Sequence, residues 1–262
     1  MEYFWKQQDD IPYGLGYPLF GKEHIISTSV TLVMVVLIVL CMRKTGKKKR
    51  EMILKAIPLF MVFLEVFKDL FLVHIHRFGV WYLPLHVCSI GIFVFLLREF
   101  LPWEKVKEIF GEIAVILIMP GAIAALVFPD WTVYYPVANF INLHSYLWHG
   151  LLVLYPVLLM LQGKTNLSVR HLHYILLFLL VVVPPIYVFD KYFGCNYFFV
   201  NWPEKDTPLD WIAGYMGNPG YLIGYGLLAI AVMLVEYCII FLIKRICIRR
   251  NTHPKAKKFR KM

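Results

Sequence analysis

The chain has 262 residues, 60% of them hydrophobic and 17% charged, with a formal net charge of +10. Soluble domains hold roughly 45–50% apolar residues, so this composition excludes an ordinary soluble protein and a disordered chain alike. The positive balance sits in the loops and the C-terminal tail, where it reads as a topology signal; no nucleic-acid-binding motif accompanies it and no nucleic-acid partner is expected.

A bilayer's hydrocarbon core is about 30 Å thick and asks about 20 mostly apolar residues of a spanning helix. Seven segments meet this, at roughly 24–43, 53–75, 83–97, 109–128, 138–161, 172–193 and 220–243. Their continuous apolar runs exclude an alternating β-barrel pattern. The expected fold is all-α: a polytopic membrane bundle of seven transmembrane helices, one integral membrane domain over residues 1–262 with a basic tail at 244–262.

The stretch before span 1 is acidic and aromatic where a leader would be basic, and the span is too long for an h-region. It is therefore expected to stay in the protein. Span 2 carries Glu65, Lys68 and Asp69 on one stripe, while His74 points away. Span 3, the shortest, is taken to begin within Val80-Trp81-Tyr82; near its start His86 and Ser89 share a face, with Cys88 about 160° from His86. Span 4 contains Pro120-Gly121. On span 5, Asn142, Ser145 and His149 share a face and His144 lies opposite. Span 6 contains Pro184-Pro185, expected to kink it before Asp190. The segment at about 194–219 is the longest read as non-helical. Its Trp, Tyr and Phe residues predict a place in the membrane interface.

Lys and Arg fall 21 to 5 between the two sets of loops and tails, which places the C-terminus in the cytoplasm and the N-terminus outside. In that orientation the ionisable residues of four spans lie in the outer half of the membrane, with little besides Glu236 in the inner half. Such residues are costly in lipid and mark function by default, so a cavity open to the outside is expected. Five cysteines show no CxxC or zinc-type spacing, and no disulfide framework, metal or cofactor is expected.

The segment Trp81-Tyr82-Leu83-Pro84-Leu85-His86-Val87-Cys88-Ser89-Ile90 resembles the Leu-Pro-Leu-His-Leu-Cys-Ser motif of the YwaF-like family of bacterial integral membrane proteins. Asn142-Leu143-His144-Ser145, His149-Gly150, Asn196-Tyr197-Phe198 and the Glu65-to-Lys68 spacing are similar to its other signatures, and the likeness runs from about residue 24 to 243. Distant animal relatives of that family include a transmembrane protein implicated in acyl transfer to ether lysophospholipids through a cysteine next to a histidine. Here Leu85 occupies the place of that cysteine, so the resemblance implies His86, with His144, as acid–base residues acting on a hydroxyl.

The expected function is a multi-pass cell-membrane acyltransferase acting on lipid or lipid-linked substrate in the outer leaflet, with membrane lipid as its partner. His86 and His144 are the candidate catalytic residues. Glu65, Lys68, Asp69, Ser89, Asn142, His149, Asp190 and Asn196 are the candidate binding residues. The alternatives are a small-molecule or ion binder or transporter, and a structural membrane protein whose polar residues fix helix packing.

Overall fold

The computed structural model describes residues 2–252, with side chains to residue 246. Residues 253–262 of the basic tail, and the side chains of Cys247, Arg249 and Arg250, lie outside the described residues. The described residues form helices and no strand: α1 (Lys22–Arg43), α2 (Lys47–His74), α3 (Val87–Phe100), α4 (Glu104–Ile113), α5 (Met119–Val127), α6 (Phe140–Leu161), α7 (Leu172–Phe193), α8 (Pro208–Met216) and α9 (Tyr221–Thr252).

Five helical segments are long and apolar enough to cross a bilayer: Lys22–Arg43, Glu104–Val133, Phe140–Leu161, Val169–Phe193 and Tyr221–Ile246. α2 has the length, at about 42 Å, but carries Glu65, Lys68 and Asp69. α3 starts at Val87 and rises only about 21 Å over its 14 residues. Between α4 and α5 the helix widens into a π turn at Ala114–Ile118. Pro120 follows at once; it has no N–H for the carbonyl four residues back, and the wider turn absorbs that break. α7 is one helix through Pro184-Pro185 and stops at Gly194, whose φ of +69° suits a residue without Cβ.

Burial shows which helix is central. In α6, 72% of the apolar window is buried, against 11% in each of α1, α7 and α9. α6 packs on α1, α2 and α5. Lipid tails are as apolar as leucine, so helices associate in a bilayer by close packing more than by exclusion of water. Gly91 and Gly150 show it: a Cβ on Gly91 would stand 2.6 Å from Leu152, and one on Gly150 3.0 Å from Thr31.

The loops gather at two ends. At one, which we call the His86 end, the N-terminal segment folds over the bundle. Asn139 donates to the carbonyls of Tyr3 (2.7 Å) and Lys6 (2.8 Å), Gln7 donates to the Tyr82 hydroxyl at 2.9 Å, and Arg77 pairs with Asp10 at 2.5 Å. At the other, the Arg98 end, Arg98 donates to the Lys164 carbonyl at 2.9 Å and Lys164 pairs with Glu51 at 3.3 Å.

Two expectations are corrected here. The segment 194–219 is not without helix: it holds a 3-10 turn at Tyr197–Phe199 and all of α8. Thr207 caps α8 by accepting from the Leu209 N–H at 3.3 Å, with Pro208 at the first helical position, a start signal written in the sequence. The Arg98 end is also far from devoid of polar groups. Glu112, 1% exposed, accepts from the Ser168 N–H (2.8 Å) and the Tyr237 hydroxyl (2.6 Å), and its other oxygen meets His171 Nδ1 at 2.6 Å. Nearby, Glu99 accepts from both Arg98 and Tyr155 at 2.7 Å. Arg98, Glu99 and Glu112 stand near helix ends and His171 in the connection between α6 and α7; folding turns them inward, two of them onto Tyr155 and Tyr237.

A candidate functional site at the His86 end

The sequence Val80-Trp81-Tyr82 makes a 3-10 turn, and Leu83-Pro84-Leu85 then runs extended or tightly turned into α3. Pro84 cannot continue a helix from the preceding turn, so α3 begins only at Val87 and His86 is its N-cap. No group among the described residues is hydrogen-bonded to the His86 ring. The ring stands edge-on to Tyr197, with centroids 4.7 Å apart, and 5.8 Å from Phe199.

The opposing wall is the segment after α7. The Tyr197 hydroxyl donates to the Val80 carbonyl at 2.5 Å, tying that wall to the turn before His86. The Asn196 carboxamide oxygen accepts from the N–H groups of Asn201 and Trp202, both at 3.1 Å, and its nitrogen donates to the Trp202 carbonyl at 3.0 Å. Asn201 in turn donates to the Cys195 carbonyl at 2.8 Å, and the Tyr221 hydroxyl donates to the Phe199 carbonyl at 2.7 Å. Phe198 and Phe199 both hold φ near +55°, which costs a non-glycine residue about 1–2 kcal/mol. The web of bonds around them holds a turn that their own preferences oppose.

Between these walls lies a half-open cavity of about 320 Å³. His86, Cys195 and Asn196 line it, aromatic rings come from Trp81, Tyr134, Tyr197, Phe199 and Trp202, and two carboxylates, Asp130 and Glu204, face it. Burial, with Asp130 nearby, holds the Glu204 carboxyl above its ordinary value. Cys195 is buried and, like Cys41, Cys88 and Cys238, free. Among the described residues no group of three or more His, Cys, Asp and Glu stands together as a metal site.

Of the candidate catalytic and binding residues, only His86 and Asn196 line this cavity. Glu65, Lys68 and Asp69 form one ionic stripe, with Lys68 Nζ 2.8 Å from Glu65 and 3.4 Å from Asp69. His86 lies within charge-interaction range of Lys68 and His149. His149 stacks on Trp131 at 5.0 Å and 6°, and its Nδ1 lies 2.7 Å from the Ser145 carbonyl. Asn142 accepts from Tyr17 (2.8 Å) and Trp131 (3.1 Å) and donates to Val137 (2.8 Å), the pattern of a packing residue. His144 stacks on Trp148 at 5.5 Å with its Nε2 unpartnered, away from the cavity lining. Ser89 is half-buried with no side-chain hydrogen bond among the described residues. Asp190 is fully buried and neither carboxylate oxygen has a hydrogen-bond partner among the described residues.

Sequence reasoning missed Asp130 and Glu204, which stand in Phe128-Pro129-Asp130 and Trp202-Pro203-Glu204. Only the aromatic excess of the 194–219 segment hinted that this region builds a surface. The imidazole of His86, with no hydrogen-bond partner among the described residues, can take and return a proton beside a cavity whose rim is amphipathic. A family model described as the TMEM164 family matches residues 19–237. No curated protein and no solved structure matches the chain.

Proposed function

The chain belongs to the TMEM164 family of multi-pass membrane proteins, and on that premise we propose that the His86 cavity is the site of acyl transfer to a lipid or lipid-linked substrate. The observation that carries the reading is a histidine, without a hydrogen-bond partner among the described residues, on a cavity of about 320 Å³ walled by Trp81 and Trp202, side chains typical of the headgroup level. We place this end outside the cell, on the 21-to-5 bias of Lys and Arg towards the other set of loops and the tail. With α2 and α3 counted beside the five longer apolar segments, the chain crosses the membrane seven times. The likeness of Leu83–Ser89 to the YwaF-like motif supports the same site.

In this reading His86 removes a proton from the acceptor hydroxyl as its oxygen attacks the carbonyl of an ester donor. The acyl group passes to that oxygen, the donor's ester bond breaks, and His86 returns the proton to the departing alcohol. Asn196 holds the wall opposite. Lys68, with Glu65 and Asp69, sets the charge behind His86. His144 serves packing against Trp148 rather than chemistry. A transporter is disfavoured because fully buried Met61, Phe95, Ile116, Leu152 and Tyr155 fill the middle of the bundle between the two polar ends.

Mass spectrometry of membrane lipids and lipoproteins from a deletion strain, complemented with wild type or His86→Ala, tests the proposal. Restoration of the parental acyl pattern by wild type alone supports it. Profiles identical in parent and deletion strains contradict it.

A further inference from the structure

We propose that residues 2–21 form a strap that gates the His86 cavity. Bound, the strap clamps the turn before α3 over Cys195; released, it lets that turn lift and opens a path to the Cys195 thiol and to His86. The inference concerns access to the cavity and stands whether or not acyl transfer occurs there.

The strap is gripped near each end and bare between. At the first grip, the Asn139 side-chain nitrogen donates to the carbonyls of Tyr3 (2.7 Å) and Lys6 (2.8 Å), and the Phe140 N–H donates to the Phe4 carbonyl at 2.9 Å. At the second, the Tyr17 N–H donates to the Thr132 carbonyl and its hydroxyl to Asn142, both at 2.8 Å, while Gly16 passes against the backbone of Thr132 and Val133. Residues 12–15 between them are exposed, and Gly14 turns there with a φ of +89° in open space. A segment held by a few local grips opens on its own, at less cost than the packed bundle beneath it.

Both grips reach cavity walls. Gln7 donates to the Tyr82 hydroxyl at 2.9 Å, and Ile11 is buried in a small apolar cluster against which Tyr3 and Tyr82 pack. Tyr82 ends the 3-10 turn Val80–Tyr82. Val80 and Leu83 of this stretch pack in turn on the cluster that holds Cys195, Tyr197 and Phe198. At the second grip, Thr132 stands between the lining residues Asp130 and Tyr134. The strap thus bridges the two segments that give the cavity Trp81, Asp130 and Tyr134. Cys195 lines the same cavity yet is only 1% exposed, so a reagent larger than water reaches its sulfur only when a wall moves. The segment after α7 is tied within itself through Asn196 and Asn201 and to α9 through Tyr221. The turn before α3 takes its side-chain hydrogen bonds from Tyr197 and from the strap, so it is the wall that release of the strap frees.

Purified full-length protein in nanodiscs of phosphatidylglycerol is treated with a membrane-impermeant maleimide. Modification of Cys195 is followed by peptide mass spectrometry against Cys41, exposed near the far end of α1, and hydrogen exchange of the strap is read on the same samples. Two substitutions loosen the strap from opposite ends. Asn139→Asp keeps a side-chain oxygen to cap α6 but removes the donor to the strap's carbonyls, and Gly16→Ala pushes the second grip off the Thr132–Val133 backbone. In wild type, Cys195 should be protected as strongly as the Tyr17 amide, because one opening exposes both. Each substitution should speed Cys195 modification and strap exchange together, by at least about tenfold. Free modification of Cys195 in wild type while the Tyr17 amide stays protected overturns the proposal. So does an unchanged Cys195 rate in a variant whose strap exchanges faster, or a strap whose exchange neither substitution alters. The wild-type comparison decides even if a variant fails to fold. Because no turnover is measured, failure here leaves the acyl-transfer reading untouched, and a protein with the expected protection that transfers no acyl group sinks only that reading.

Discussion

At the scale of single residues, a half-buried carboxylate at the cavity and a buried one at the Arg98 end meet different surroundings. Glu204 has Asp130, Asp210 and Lys205 as charged neighbours and His86 across the cavity, and burial raises its carboxyl above the ordinary 4.5. Glu112 has a structural task. Glu112→Ala leaves the Tyr237 hydroxyl, the Ser168 N–H and the His171 ring without their acceptor. The cost should be about 3–5 kcal/mol in a denaturant unfolding series in detergent, whereas Glu104→Ala, which breaks an exposed pair with Lys107, should leave the midpoint almost unmoved. The motif around His86 singled out a residue that lines the cavity, and the Glu65-to-Lys68 spacing singled out an ion pair, because both signals are local. Asp130 and Glu204 were not, because each sits in an ordinary Pro-containing turn and gains meaning only when the 194–207 segment closes on the turn before α3.

At the scale of elements, long apolar helices were legible from length alone, and their ends agree with the sequence reading to within a few residues for α1, α6 and α7. What periodicity could not show was how connections fold back. α8 was lost because nine residues are too few for an apolar run to declare itself, although Thr207-Pro208 marks its start. Pro120 hinted at a break but not at the π turn before it, since widening a turn is a response to packing as well as to the missing N–H. The N-terminal segment shows the same limit. Gly16 passes so close to Thr132 and Val133 that a Cβ would stand 2.5 and 2.2 Å from their carbonyl oxygens. Backbone cannot yield as a side-chain tip can, so Gly16→Ala should lift the segment, pull Tyr17 from Asn142 and cost about 1–3 kcal/mol. Faster proteolysis of residues 2–21 in the variant would show it; unchanged protection would mean that the segment is not anchored there.

At the scale of the whole molecule, a buried α6 is ringed by helices whose outer faces are apolar, and polar groups collect at both ends of the bundle. The bias of Lys and Arg gives that polarity a direction. Reporter fusions in the 44–46 turn and after residue 246 should report the cytoplasm, and a fusion in the 203–207 segment the outside; the reverse would put the cavity on the wrong leaflet for the substrate proposed. The central claim is that His86 performs acyl transfer in that cavity. Its most direct measurement is mass spectrometry of proteoliposomes holding purified protein, a phospholipid donor and a lysophospholipid acceptor. The predicted result is a new diacyl species with wild type and with Cys88→Ala, and none with His86→Ala at equal thermal stability. An undiminished rate in His86→Ala, or no new species with wild type, would contradict it.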